Sequence, residues 1–207
     1  KICINQYGNF FMTKFIDFFN SKQRKKLWKV TKINLLEICT NEFGNHCVQA
    51  LIANLNSPEE EIYINNLLCP FYTVLSLNKF GTFVIQKILL KFSLENRSAI
   101  HRFTVDNFMT LVTNIHGVCV IKKYILANKY APDSFKKTFV DTFHKFFMEI
   151  VNDPCGNYSI FCLLEEWGIN IMLKLVKVLE SNVSDLGVKK YSQSLILKCL
   201  TYGDEVS

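Results

Sequence analysis

Apolar residues recur along the chain with the spacing of a helix buried on one face, and they do so six times. The stripes read Phe11-Met12-Phe15-Ile16, Cys47-Val48-Leu51-Ile52, Val84-Ile85-Ile88-Leu89 and Val120-Ile121-Tyr124-Ile125. The last two are Ser159-Ile160-Leu163-Leu164 and Leu195-Ile196-Cys199-Leu200. Such positions line one side of an α-helix, so each stripe predicts a helix packed on a core. Only Ser159 is plainly polar among them. A small residue stands three positions ahead of every stripe: Gly8, Gly44, Gly81, Gly117, Gly156 and Ser192. The steps between these landmarks are 36, 37, 36, 39 and 36 residues. So regular a period is the mark of a solenoid built from one supersecondary unit.

Further helical segments fill the intervals. "SKQRKKLWKVTK" (21–32) and "SPEEEIYINNLL" (57–68) each open on a serine expected to cap the helix. The second has Pro58 at the first helical position and Glu60 three residues after Ser57, the pattern of a capping box. The short apolar pieces at 34–39, 70–77, 107–112 and 142–151 lead into the next landmark. Three helices per repeat, no strand pattern and no low-complexity linker predict one all-α domain over 1–207, a curved right-handed α-solenoid of about six units. The units centre on 5–16, 41–52, 78–89, 114–125, 153–164 and 189–200.

Composition agrees with this reading. The chain is 49% apolar with 18 Phe but only 8 Gly and 4 Pro, which favours helices joined by short turns. No run of about 20 apolar residues predicts a membrane span. The chain does not begin with Met, and the expectation is a fragment. Eight cysteines include no C-x-x-C pair, so they are expected as reduced core thiols of an intracellular protein. The net charge of +6 permits a nucleic-acid partner without requiring one. His46, His101, His116 and His144 lack metal-ligand spacing, and no nucleophile or phosphate-loop motif occurs. The expectation is no enzyme, no catalytic residue, no metal and no cofactor.

The stretches "NEFGNHCVQ", "NKFGTFVIQK" and "DPCGNYSI", at this period, resemble the Pumilio (PUF) repeat, and the resemblance covers nearly the whole chain. "KKYSQSLILKCL" is similar to the family's penultimate repeat, so the six units correspond to repeats two to seven of eight, with flanking repeats or substitutes expected outside this stretch. The resemblance implies single-stranded RNA binding on the concave face, one base per repeat, read by side chains of the middle helix. Carried over, the base-edge readers are Asn9 and Thr13, Asn45 and Gln49, Thr82 and Gln86, Val118 and Lys122, Asn157 and Phe161, and Gln193 and Leu197. The stacking positions are Phe10, His46, Phe83, Cys119, Tyr158 and Ser194. Asn45/Gln49 with His46 is a complete uracil-type reader, and Thr82/Gln86 with Phe83 is closer to the adenine type. The Asn9 and Asn157 units keep asparagine and stacker but lack the glutamine, and the Val118 and Gln193 units depart further.

Lys14, Lys87, Lys123 and Lys198 share one offset and are expected near phosphates. The basic run Lys22, Arg24, Lys25, Lys26, Lys29 and Lys32 is expected as a solvated face. The implied partners are single-stranded RNA, in the first place messenger RNA, and protein effectors of a monomeric, non-membrane, cytoplasmic protein. Two alternatives stay open: a nucleolar ribosome-assembly protein with little base preference, and a helical protein scaffold that has lost base reading.

Overall fold

The computed structural model describes residues 1–168 and 181–197, and every regular element among them is helical. The chain divides into two compact units, residues 1–104 and 105–207. The first unit contains α1 (Gly8–Ile16), α2 (Ser21–Thr31), α3 (Leu35–Thr40), α4 (Gly44–Ala53), α5 (Pro58–Leu68), α6 (Tyr72–Leu77) and α7 (Gly81–Lys91). Helix α8 (Ser98–Asp106) runs across the boundary. The second unit contains α9 (Phe108–Val112), α10 (Gly117–Ala127), α11 (Asp133–Lys145), α12 (Phe147–Asn152), α13 (Asn157–Trp167) and α14 (Val183–Gly187). Residues 192–197 begin the helix of the sixth stripe.

In the first unit α1 packs on α4 and α4 on α7; in the second, α10 packs on α13. The stripe positions of α4, α7, α10 and α13 are all buried, Ser159 included. Its hydroxyl is satisfied by donating to the Gly156 carbonyl at 2.6 Å. Helix α1 departs from the expectation. Met12 and Ile16 are buried, but Phe11 and Phe15 are 59% and 47% exposed. The corresponding Cys47 of α4 is covered by the repeat before it, its Sγ reaching the Asn9 carbonyl at 3.7 Å and Thr13 Oγ1 at 3.9 Å. Among the described residues no helix covers α1 on that side, and its rings stack on one another instead, Phe11 on Phe15 at 5.4 Å.

The landmark glycines allow a close approach. A Cβ at Gly44 would lie 2.5 Å from the Ile38 carbonyl oxygen, and one at Gly117 would lie 2.4 Å from that of Leu111. The short helix of each repeat therefore abuts the start of the next with no room for a side chain. Ser192 solves the same contact differently. Its hydroxyl donates to the Leu186 carbonyl, six residues back, which is the contact the glycines relieve by having no Cβ.

Two capping expectations need correction. Ser21 is the first helical residue of α2, and the cap is Asn20, in a capping box with Gln23. Ser57 does cap α5, accepting from the Glu60 N–H at 3.3 Å. The Glu60 carboxylate, however, does not return to the cap; it accepts the Asn56 N–H at 3.0 Å and pairs with Arg24. Arg24 is likewise not part of a solvated face. It is 3% exposed, with its guanidinium on both Glu60 oxygens, Asn56, Ser21 and the Phe19 carbonyl. Lys22, Lys25, Lys26, Lys29 and Lys32 are exposed. The cysteines also divide: Cys3, Cys39 and Cys47 are buried thiols, Cys155 and Cys162 are half-buried, and Cys69 and Cys119 face solvent. No helix among the described residues is long and apolar enough to cross a membrane.

Candidate nucleic-acid interface

Five of the six helices that follow a landmark start from the same turn. Three residues before the landmark, an Asn or Asp side chain accepts two successive backbone N–H groups: Asn5 from Tyr7 and Gly8, Asn41 from Phe43 and Gly44, Asn78 from Phe80 and Gly81. Asn114 takes those of His116 and Gly117, and Asp153 those of Cys155 and Gly156, all at 2.7–3.0 Å. These acceptors satisfy helix N–H groups that have no partner within the helix. They belong to the site's machinery and were missed as such, although the spacing Asn/Asp-x-x-Gly is visible in five units. The sixth has Lys189 at that place. Asn41→Ala is expected to lower stability by about 0.5–2 kcal/mol, the usual range for losing such a cap, as measured by urea unfolding.

The residue after the landmark points inward. Asn9, Asn45 and Asn157 are 3%, 1% and 5% exposed. Each donates its amide to two carbonyls of the preceding turn: Asn9 to Asn5 and Gln6, Asn45 to Asn41 and Glu42, Asn157 to Asp153 and Pro154. Thr82 and Val118 are also buried, whereas Gln193 is exposed and donates to the Gly187 carbonyl at 2.8 Å. One position further on, the side chain turns to solvent. Phe10, Phe83 and Tyr158 are 71%, 47% and 59% exposed, and His46, Cys119 and Ser194 are exposed as well.

One turn later comes the second position that the resemblance implies for base reading. Gln49 is half-buried and donates Nε2–H to Asn45 Oδ1 at 2.8 Å. Gln86 does the same towards Thr82 Oγ1 at 3.3 Å. Thr13 and Phe161 are half-buried, and Lys122 and Leu197 are exposed. Lys14 is exposed, Lys87 and Lys123 are half-buried, and Lys198 lies outside the described residues.

Between the first and second repeats these side chains enclose a slot of about 430 Å³. Its walls include Phe10 and His46; Asn9 and Thr13 contribute polar groups, Lys14 a cation and Glu42 a carboxylate. Glu42 is a second residue the sequence pattern did not single out. The Cys47 thiol next to Thr13 is pushed up, by its hydrogen bond with Cys3 first and then by burial. In the second unit the Cys155 thiol is also raised, by burial first and then by Asp153 and Cys119. No group of His, Cys, Asp and Glu among the described residues could hold a metal ion.

Within the first unit an exposed ring (Phe10, His46, Phe83) thus follows a buried polar residue (Asn9, Asn45, Thr82), with a half-buried amide one turn on in two of the three repeats. The profile of the Pumilio-family RNA binding repeat matches residues 1–29, 34–68 and 73–100. The first three repeats belong to the Pumilio family. Putative pumilio homolog 8, chloroplastic, of Arabidopsis thaliana is 24% identical over 99% of this chain and 40% of its own length. Pumilio homolog 11 of the same plant is 26% identical over 96% of this chain and 35% of its own length. The chain thus spans less than half of these Pumilio relatives. Among solved structures, the Puf4 RNA binding domain bound to an HO endonuclease 3′ UTR recognition sequence superposes with a TM-score of 0.89. It is 24% identical, covering 97% of this chain and 62% of that one. The fold is therefore the Pumilio α-solenoid.

Proposed function

We propose that this Pumilio-repeat chain binds single-stranded RNA through the exposed rings Phe10, His46 and Phe83 of the first unit and Tyr158 of the second, and that it regulates messenger RNA in the cytoplasm. The observation that carries this reading is the slot between the first and second repeats, lined by the Phe10 and His46 rings together with the polar groups of Asn9 and Thr13. Bases stack on such rings whatever their identity, and selection falls to the polar groups.

The second repeat illustrates the chemistry. Asn45 has both amide hydrogens committed to carbonyls, so only its Oδ1 is left for Gln49. That contact fixes which end of the Gln49 amide is nitrogen. The remaining Nε2–H and Oε1 then meet a carbonyl and the N3–H of uracil. Guanine offers two adjacent donors, N1–H and N2–H₂, and needs an acceptor-only carboxylate. Selection is weaker in the fourth and sixth repeats, where Lys122 and Leu197 stand at the second reading position.

Competition binding with RNAs differing at one base tests the assignment. Wild type is expected to favour uracil at the second repeat. Asn45→Ser with Gln49→Glu is expected to move that preference towards guanine by about 1–3 kcal/mol, the range for a good bidentate base contact. An unchanged preference in the double variant means that this helix reads no base edge.

A further inference from the structure

The slot between the first and second repeats holds a charge that base stacking does not require. Beside the Phe10 and His46 rings, its lining includes Asn9, Thr13, Lys14 and Glu42. Glu42 stands two residues before the landmark Gly44. At the same offset the other units carry Gln6, Lys79, Ile115, Pro154 and Lys190, so Glu42 is the one acidic residue at this place. In the third repeat Lys79 holds its Nζ 5.2 Å from the centre of the Phe80 ring. Glu42 bears the opposite charge, and its part in the turn is played by its backbone, whose carbonyl accepts the Asn45 amide at 2.8 Å. Among the described residues no group pairs with its carboxylate, and Lys14 has no carboxylate within ion-pair distance either.

A carboxylate on an RNA-binding surface works against affinity, because it repels phosphates. It contributes only where it accepts hydrogen bonds from a base. The neighbouring polar groups have the same bias. Both amide hydrogens of Asn9 are committed to the Asn5 and Gln6 carbonyls, so only its Oδ1 is left. Thr13 stands one turn later, at the place where Gln49 supplies an N–H in the second repeat. This slot is therefore rich in acceptors, which suits a base that presents donors. Guanine presents two on adjacent atoms, N1–H and N2–H₂, matching the two oxygens of a carboxylate. Adenine and cytosine each offer one amino group beside an acceptor ring nitrogen, and uracil has one N–H flanked by two carbonyls. In all three the second carboxylate oxygen meets a lone pair.

We infer that the slot between the first and second repeats selects guanine, and that Glu42 is the residue that decides it. The inference rests on the RNA-binding reading above and adds the base taken at this slot. N1–H and N2–H₂ donate to the Glu42 carboxylate while the base stacks against the rings. Lys14 stays available to a phosphate and offsets the repulsion between that phosphate and Glu42.

Enrichment of short single-stranded RNAs from a randomised pool, with the whole chain as bait, tests it. The expected consensus has a guanine beside the uracil assigned to the second repeat. The same enrichment on Glu42→Gln should keep the uracil and lose the guanine. Affinity for the consensus RNA should fall about tenfold in Glu42→Gln, within the range for a bidentate base contact. An RNA with adenine in place of that guanine should bind the variant at least as tightly as wild type. Glu42→Lys, which copies the third repeat, should also lose the guanine and should bind guanine-free RNAs more tightly at low salt. Glu42 is exposed, and the turn before Gly81 already accommodates a lysine at this offset, so both variants keep the fold. A consensus with uracil but no neighbouring guanine overturns the inference and leaves RNA binding standing. So does a guanine that persists in Glu42→Gln, or a Glu42→Gln affinity that rises equally for every RNA. No enrichment of any RNA over a protein-free control overturns the RNA-binding reading itself, and this inference with it.

Discussion

Replacing Phe10, His46, Phe83 and Tyr158 together by alanine is expected to lower affinity for single-stranded RNA by at least about a thousandfold. Stacking is worth about 1–3 kcal/mol per base, and four platforms are lost at once. All four side chains face solvent. The buried stripes beneath them are untouched, so the variant should keep the wild-type melting curve. Lys14, Lys87 and Lys123 also remain, and the residual binding should still weaken as salt rises, because phosphate contacts release counterions. Fluorescence anisotropy with a labelled RNA, repeated at several salt concentrations, separates the two contributions. Unchanged affinity in the quadruple variant removes the stacking face from the binding reaction.

The second large effect concerns stability. Arg24→Ala is expected to cost about 3–5 kcal/mol in urea unfolding, the range for removing one partner of a buried ion pair. The side chains of Arg24 and Glu60 are 4% and 16% exposed. The substitution leaves Glu60, Asn56 and the Phe19 carbonyl without their common donor. Replacing Arg24 by Met and Glu60 by Leu together is expected to cost less than Arg24→Ala, because no buried charge is then stranded. The pH dependence follows from Glu60. Burial pushes its carboxyl up, but the Arg24 guanidinium and the Asn56 N–H outweigh this and hold it below the usual carboxylate range. A depressed folded-state value means that this contribution is fully present above the unfolded carboxylate's range. It is lost as pH falls through the lowered value. Acid unfolding of Arg24→Ala should therefore depend less steeply on pH than that of wild type.

Arg24 also shows where sequence reading stopped. In "SKQRKKLW" it is one cation in a basic run, and nothing local sets it apart from Lys22 or Lys25. Its partner Glu60 lies 36 residues on, one repeat further along, and only the stacking of repeats brings the two together. The helices were legible for the opposite reason: a stripe of apolar residues repeated at a fixed period is local information. Phe11 and Phe15 fit that stripe yet lie exposed, because the stripe records which face is apolar and not which neighbour covers it. The common placement of the residues after each landmark was legible by offset. The inward amides of Asn9, Asn45 and Asn157 were not, since their orientation depends on carbonyls of a turn whose geometry the pattern does not state. The acceptors Asn5, Asn41, Asn78, Asn114 and Asp153 were within reach, through their constant distance from the landmark.

Those five side-chain acceptors bond only backbone N–H groups at five helix starts, and neither they nor the landmark glycines make use of the exposed side chain that follows or of the residue one turn later. The fourth repeat demonstrates the separation: the turn around Asn114 and Gly117 is intact, although Val118, Cys119 and Lys122 occupy the positions held by Asn45, His46 and Gln49 two repeats earlier. Scaffold and exposed chemistry are thus assigned to different residues, and a repeat can exchange the second set while its helix start stays unchanged.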